Sequence, residues 1–432
     1  MKRMLLTCLA VMFLLSACAL EIPQPDPNTK LPTEEKEMLT GKADYNPNPQ
    51  YIPEDAEELA DANNQFAFDL YQQLNSGQGN VLYSPYSLYQ ALTMVYAGAR
   101  GDTASQFESV LHYPLSQEEI HAVSNALNLA LSSQSNASGQ ADQNFTLEIA
   151  NALWAQRDGH IEQSYLDLIS EHYAAGMRTV DFAQSQEAAD LINQWAQENT
   201  NDKIREIANP SMFNVNTRLA LTNAVYFKGA WFFPFMEENT TKEDFTLLDG
   251  ENVEVDMMMT SEEFSALKNE RVQMVELRYH NSPIVMDLIA PIDGSWEAFS
   301  QTLTSGLLDD YIGQLETRRV NLSLPKFKIE TPEMDLINPM QELGLIDVFG
   351  MNADLSGMTG DKSLLISTLV QKAFIDVNEA GTEAAAVTIA VAQEKAMISP
   401  DPITISFDSP FLFLIRDTNT GTILFIGQLL QP

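Results

Sequence analysis

Apolar residues recur at helical spacing between 56 and 74. Leu59, Ala62, Phe66, Leu70 and Leu74 fall on one face, which predicts an amphipathic helix that Gly77 and Gly79 end. A more apolar helix is expected over 86–98, and helical patterns return at 162–173 and 186–198. Residues 132–144 are Ser, Gln, Asn, Ala, Gly and one Asp, the composition of an exposed loop. From 219 onward the pattern becomes that of strands, at 219–227, 253–257, 273–279, 284–289 and 320–327. A last helical stretch lies near 334–344. Strands at 372–377, 403–407, 411–416 and 423–428 finish the chain. Helices dominate early and strands late, without βαβ alternation or an internal repeat. This order predicts an α+β fold rather than a doubly wound sheet.

Composition narrows this picture. With 45% hydrophobic and 19% charged residues, the 432-residue chain is no disordered polymer, and its length admits more than one domain. The balance of 24 Lys+Arg against 60 Asp+Glu, a formal charge of −36, excludes nucleic acid and anionic surfaces as partners and favours basic ones. The N-terminus reads differently from the rest. Lys2 and Arg3 precede an apolar run over 5–15 that is too short to span a bilayer, so residues 1–17 read as a secretory signal peptide. The run ends in Leu15-Ser16-Ala17-Cys18, which resembles a bacterial lipobox. That resemblance implies lipid attachment at Cys18 and an envelope location, with Ala19 favouring the outer membrane; an ordinary signal peptide with a chance Cys is the alternative. Residues 18–55 hold Pro23, Pro25, Pro27, Pro32, Pro47, Pro49 and Pro53 among acids and Asn, and read as a tether rather than an arm packed on the body. The body, 56–432, contains no Cys, so a large core must stabilise it without disulfides.

Enzyme chemistry is missing. The five His, at 112, 121, 160, 172 and 280, include no i, i+4 pair, and no Cys of the body can complete a zinc site. There is no Gly-rich phosphate loop and no G-x-S-x-G elbow. Ser84 before Pro85 reads as a helix cap, and Asp309-Asp310 as a solvated face. We therefore assign no catalytic residue, no metal and no cofactor, and expect a protein that is not an enzyme.

One segment is odd for a loop. After Gly381 come Thr382, Glu383, Ala384, Ala385, Ala386, Val387, Thr388, Ile389, Ala390, Val391 and Ala392, small or β-branched apart from Glu383 and free of Pro. Taken at period two, Thr382, Ala384, Ala386, Thr388, Ala390 and Ala392 form a small-residue face that could enter a sheet without overpacking. An Ala-rich helix fits the same residues.

Glu379-x-Gly-Thr-Glu-Ala-Ala-Ala resembles the hinge of the serpins, a family of serine protease inhibitors. The resemblance covers most of 59–432. Asn80-Val-Leu-Tyr-Ser84-Pro85-Tyr-Ser87 is similar to the family's shutter segment, and 97–103 to its continuation. Asn193, Trp195, Thr200, Lys203 and Ile204 match N-x-W and T-x-x-K-I. Asn223-Ala-Val-Tyr-Phe-Lys-Gly229 with Trp231, Leu324-Pro-Lys-Phe, 353–357 and Phe407-Asp-Ser-Pro-Phe411 match four later blocks in family order.

This resemblance implies one domain of three β-sheets and about eight or nine helices, with an exposed reactive-centre loop at about 379–402. It implies a monomer that presents the loop to a serine, or also a cysteine, protease and traps the acyl-enzyme by inserting the cut loop into the main sheet. Counting from Glu379 by the family spacing puts the reactive bond at Lys395–Ala396, suited to a trypsin-like target, with Met397 as a neighbouring alternative. The hinge comprises Glu379, Gly381, Thr382, Glu383, Ala384, Ala385, Ala386 and Val387. Ser84, Ser87, Asn223, Trp231 and Gln371 carry a structural gating role. Gln371 departs from the family, in which many members have His there; it can donate and accept hydrogen bonds but cannot titrate. A non-inhibitory binding protein of the same fold is the competing expectation.

Overall fold

The computed structural model of the protein describes residues 38–432 apart from 76, 78, 136–145 and 383–400. The chain runs through β1 (Met38–Leu39), α1 (Pro53–Leu74), β2 (Val81–Tyr83), α2 (Pro85–Tyr96), α3 (Gly101–Val110), α4 (Ile120–Ser135), β3 (Thr146–Gln156), α5 (Gln163–Tyr173), β4 (Met177–Val180), α6 (Ser185–Asn199) and β5 (Leu219–Ala230). It continues with β6 (Thr241–Thr246), β7 (Asn252–Lys268), β8 (Val272–Arg278), β9 (Ile284–Pro291), α7 (Trp296–Ser300), α8 (Ser305–Ile312), β10 (Glu316–Pro325), β11 (Phe327–Glu330), β12 (Met334–Asp335) and α9 (Ile337–Leu343). The last elements are α10 (Ser356–Thr359), β13 (Ile366–Asn378), β14 (Gly381–Thr382), β15 (Ile403–Ser406), β16 (Phe411–Asp417) and β17 (Ile423–Leu429).

Local chemistry explains the helix starts. Pro53 opens α1 with Glu54 and Asp55 in its first turn, where fixed φ and negative charge are both favourable. Ser84 caps α2 by accepting from the Ser87 amide, and Pro85 occupies the first turn. Every residue of α2 is buried, as expected for a helix that is apolar on most of its circumference.

The strands form one sheet in the order β1-β4-β3-β5-β14-β13-β11, with β12 beside β13, and a second in the order β15-β10-β7-β8-β9-β16-β17-β2, with β6 beside β7. The α+β class holds. The family resemblance implies three sheets; among the described residues the hydrogen bonding gives two. The reason is β7, whose 17 residues pair with β6 and β10 along one stretch and with β8 along another, so one strand serves two expected sheets. Ten α-helical segments are present among the described residues, several of them one or two turns long.

Period-two alternation gives the first sheet two different faces. Leu221, Val225 and Phe227 of β5, and Leu369, Ala373 and Ile375 of β13, join the main core with α1 and α2. Ala220, Ala224 and Tyr226, with Val370 and Phe374, pack on the other face against Ile192 and Trp195 of α6. Asn223 and Gln371 share parity with the first set and therefore face the N-terminus of α2. The strands β16 and β17 are buried at every position, which suits central strands.

Three expectations need correction. Of the proposed tether, residues 38 onward are packed on the body. Met38–Leu39 pairs with β4, the Gly41 amide donates to Ser170 Oγ at 2.8 Å, the Asn46 amide donates to the Glu171 carbonyl at 2.9 Å, and Tyr45 Oη donates to Asn125 Oδ1 at 2.8 Å. The hydrogen-bond partners of Gly41 and Tyr45 lie 129 and 80 residues away, and the strand pairing reaches farther still, beyond the reach of composition. Positions 18–37 lie outside the described residues. The expected loop over 132–144 begins later, because α4 continues to Ser135. The first helix, expected from 56, begins at Pro53.

His121 is 1% exposed, with Nδ1 at 2.7 Å from Tyr173 Oη. Burial, with help from neighbouring His172, lowers its pKa to about 3. The unfolded chain then binds the extra proton below the ordinary value of 6.5, so stability is complete above 6.5 and falls as the pH drops toward 3. The expected loss approaches about 1.4 kcal/mol per pH unit in that window. Thermal unfolding at pH 7 and at pH 4.5 should show His121→Phe losing less than the wild type; equal losses would remove His121 from the acid response.

Candidate functional site

The site lies on the seam between β5 and β13. These strands run parallel and pair from Leu219–Ile366 to Tyr226–Phe374. Beyond that point they diverge, and β14 occupies the gap, antiparallel to both: Gly381 faces Asn378 and Ala230, and Thr382 faces Val377 and Gly229. A two-residue turn, Glu379-Ala380, folds β14 back from the end of β13, and the Ala380 amide donates to Asn378 Oδ1 at 3.0 Å. The start of the predicted hinge is thus already a strand.

Gly381 has to be glycine here. Its φ is 153°, and a Cβ would come within 2.1 Å of the Gly229 carbonyl oxygen. Thr382 is fully buried and shares a 2.6 Å hydrogen bond with Tyr279 Oη. Burial pushes the Tyr279 phenol well up, so it stays protonated. Tyr279 stacks on Trp231 at 4.7 Å and 20°, and Trp231 Nε1 donates to the Asn378 carbonyl at 3.0 Å. Glu379 is held from outside the strand by Lys326 Nζ at 2.9 Å and by Thr240 Oγ1 at 2.8 Å. Burial pushes the Glu379 carboxyl up, but the bonds from Lys326, its own backbone and Thr240 outweigh it and hold the pKa below the usual range.

A second cluster sits lower on the seam, roughly 20 Å away at strand rise. Gln371 Nε2 donates to Asn223 Oδ1 at 2.6 Å across the seam and to the Ser84 carbonyl at 3.0 Å. Its Oε1 accepts from the Ser84 amide at 2.8 Å, and Ser84 Oγ donates to the Leu424 carbonyl at 2.7 Å. Asn223 Nδ2 donates to Ser87 Oγ and Asn151 Oδ1, and Asn151 Nδ2 donates to the Ser87 carbonyl at 3.1 Å. Ser84, Ser87, Asn223 and Gln371 are all buried. Asn151, Asn223 and Gln371 occupy matched register positions on β3, β5 and β13.

The structure therefore joins Ser84, Ser87, Asn223 and Gln371, and separates Trp231, which belongs with the hinge. Glu383, Ala384, Ala385, Ala386, Val387, Lys395, Ala396 and Met397 lie outside the described residues, as does Cys18. Sequence reasoning missed Asn151, Tyr279, Thr240 and Lys326. Lys326 sits in the Leu324-Pro-Lys-Phe block, and that lysine is the only sequence signal among the four.

Residues 61–432 match the family model described as serpin (serine protease inhibitor). The chain belongs to the serpin family. It is 38% identical to a leukocyte elastase inhibitor of Bos taurus, over 87% of this chain and 100% of the relative. It is 34% identical to an uncharacterized serpin-like protein of Thermococcus kodakarensis, over 100% of this chain and 99% of the relative. Among solved structures, Serpin48 of the insect Tenebrio molitor, described as a highly specific serpin, aligns with a TM-score of 0.77 and 30% identity, covering 89% of this chain and 100% of that one. In this serpin, opening the seam breaks the β5–β13 ladder and the Gln371–Asn223 bond together.

Gln371→Ala would leave the Ser84 amide, the Ser84 carbonyl and Asn223 Oδ1 without this partner in a buried place, at a cost of about 2–4 kcal/mol. Gln371→Glu should be at least as harmful above pH 6, because a carboxylate cannot donate to those two oxygens. Denaturant unfolding checks both; a glutamate variant as stable as wild type would contradict the donor role of Gln371 Nε2.

Proposed function

We propose that this serpin is a suicide-substrate inhibitor of serine proteases. The observation that carries the reading is Thr382, already seated between β5 and β13 at the head of a segment whose alternate residues are all small. A protease serine attacks the Lys395 carbonyl carbon, forms an ester with it and releases the amino group of Ala396. The freed upstream strand continues the direction of β14 down the seam. Insertion exchanges one parallel β5–β13 ladder for two antiparallel ones and buries the Thr382, Ala384, Ala386, Thr388 parity. A fast insertion moves the tethered protease before water reaches the ester.

A lysine at Lys395 fits an S1 pocket lined by acid, so trypsin-like enzymes are the proposed targets, with cysteine proteases as a further class. The net charge of −36 assists encounter with basic proteases. Removal of 1–17 and lipidation at Cys18 would hold the inhibitor, as a monomer, at a bacterial cell envelope. The reaction uses no metal, cofactor or catalytic residue of the inhibitor itself.

Incubation with trypsin should give a complex that survives denaturing electrophoresis, and mass spectrometry should locate the cut after Lys395. Lys395→Glu should lower the rate with trypsin by at least about tenfold, through loss of the S1 ion pair. Thr382→Arg should leave the loop cleavable but abolish the complex, since a charged side chain would enter a buried position. Cleavage without any complex in the wild type would favour a serpin-fold binding protein; normal trapping by Thr382→Arg would contradict insertion.

A further inference from the structure

Two histidines that the inhibitor reading leaves unused meet between α4 and α5. His121 stands in the first turn of α4 and His172 in the last turn of α5. Their ring centres are 6.3 Å apart and their planes tilt by 31°. His121 is 1% exposed and His172 is half-buried. Both His121 Nε2 and His172 Nδ1 are buried atoms with no hydrogen-bond partner among the described residues. The rings of Tyr96 and Tyr173 pack on His121, with centres at 6.4 and 5.8 Å. The N-terminal segment crosses the same two helices: Tyr45 bonds Asn125, one turn past His121, and the Asn46 amide bonds the carbonyl of Glu171, next to His172.

The surrounding hydrogen bonds decide what the two nitrogens are. Ser124 Oγ spends its proton on Gln90 Oε1 at 2.6 Å. The Tyr173 phenol, hydrogen-bonded to Ser124, therefore donates to that oxygen and accepts from His121 Nδ1 at 2.7 Å. With its proton on Nδ1, a neutral His121 carries a bare lone pair on Nε2. A proton on His172 Nδ1 would be a buried donor with no acceptor, so it sits on Nε2 and leaves a second lone pair on Nδ1. Two lone pairs on neighbouring rings, with one ring oriented by an outer hydrogen bond, are the arrangement of metal-ligating imidazoles.

The number of ligands selects the ion. No third His, Cys, Asp or Glu joins the pair among the described residues, so the ligand sets of structural zinc, calcium or magnesium sites are not present. A soft, closed-shell monovalent ion is satisfied by two nitrogens in line. Such an ion, bonded at about 2 Å to each nitrogen, sets the ring centres roughly 6 Å apart, which agrees with the observed spacing. Half-buried His172, with the Glu171 carboxylate acting on it, gives a cation its way in.

We infer that His121 Nε2 and His172 Nδ1 form a two-coordinate site for a soft monovalent cation, Cu⁺ or its congener Ag⁺, that clips α4 to α5. Neither histidine belongs to the seam or the reactive loop, so the site and the inhibitor reading stand or fall separately.

The probe is Ag⁺, which shares the two-coordinate preference of Cu⁺ and is stable in air. The full chain carrying Cys8→Ser and Cys18→Ser removes the competing thiols. Nitrogen-15 spectra of its histidine rings should show His121 Nε2 and His172 Nδ1 shifting together at one equivalent of Ag⁺, with the rings of His112, His160 and His280 unmoved. In calorimetric titration, His121→Gln and His172→Gln should each weaken Ag⁺ binding at least about tenfold, and Zn²⁺ should bind the parent at least about tenfold more weakly than Ag⁺. Both nitrogens unmoved, which a water bridging them predicts, would overturn the inference. So would a shift of one nitrogen alone, variants that bind Ag⁺ as the parent does, or Zn²⁺ bound as tightly as Ag⁺. The ring spectra of the parent decide the matter even where a variant fails to fold.

Discussion

A parallel ladder of eight residue pairs holds β5 against β13, and one side-chain bond, Gln371 to Asn223, crosses it near its middle. Almost every other feature of the site is arranged around that seam. Above it, the strands part and admit β14. Below it, they are closed by backbone pairing and by a buried cluster that roots both strands on the N-terminus of α2. Parallel pairing is slightly weaker per residue than antiparallel pairing. A strand arriving from β14 would meet partners on both sides, so the closed seam is a place where the fold holds less than its full complement of hydrogen bonds.

The hinge shows how the sequence restrains that strand. Gly381 permits contact with the Gly229 backbone, Thr382 spends its hydroxyl on Tyr279, and Glu379 is anchored by Lys326 and Thr240. These bonds hold the first two residues in place while leaving the seam beyond them paired. None of Ser84, Ser87, Asn151, Asn223 and Gln371 is ionisable, so the lower cluster carries no proton switch; with Gln at 371, seam opening is decoupled from pH in the histidine range. Glu379 behaves differently. Its bonds need the carboxylate, so its anchoring is present above the ordinary carboxyl range and is lost as the pH falls through its lowered pKa.

Much of this is legible in the sequence, because period and turn chemistry are local. The helix at 56–74, the strands of the second half and the small-residue parity after Gly381 come directly from spacing. The pairing of Asn223 with Gln371 is legible only through the family resemblance, since two amides 148 residues apart carry no local signal. Asn151 is lost with its strand: β3 is interrupted by Asn and short on β-branched residues, so its alternation is weak. The packed segment from Met38 escapes a reading by composition because Pro and Asn content speaks of entropy but not of a neighbour's open sheet edge.

Inhibition by insertion requires a seam that is under-filled in the intact chain and filled after cleavage. Thermal unfolding of the protein before and after a single cut in the 383–400 segment tests this most directly. A full new strand of hydrogen bonds, at about 1 kcal/mol each, should raise the unfolding temperature of the cut form by on the order of 10–20 °C. An unfolding temperature unchanged or lowered by the cut would contradict it.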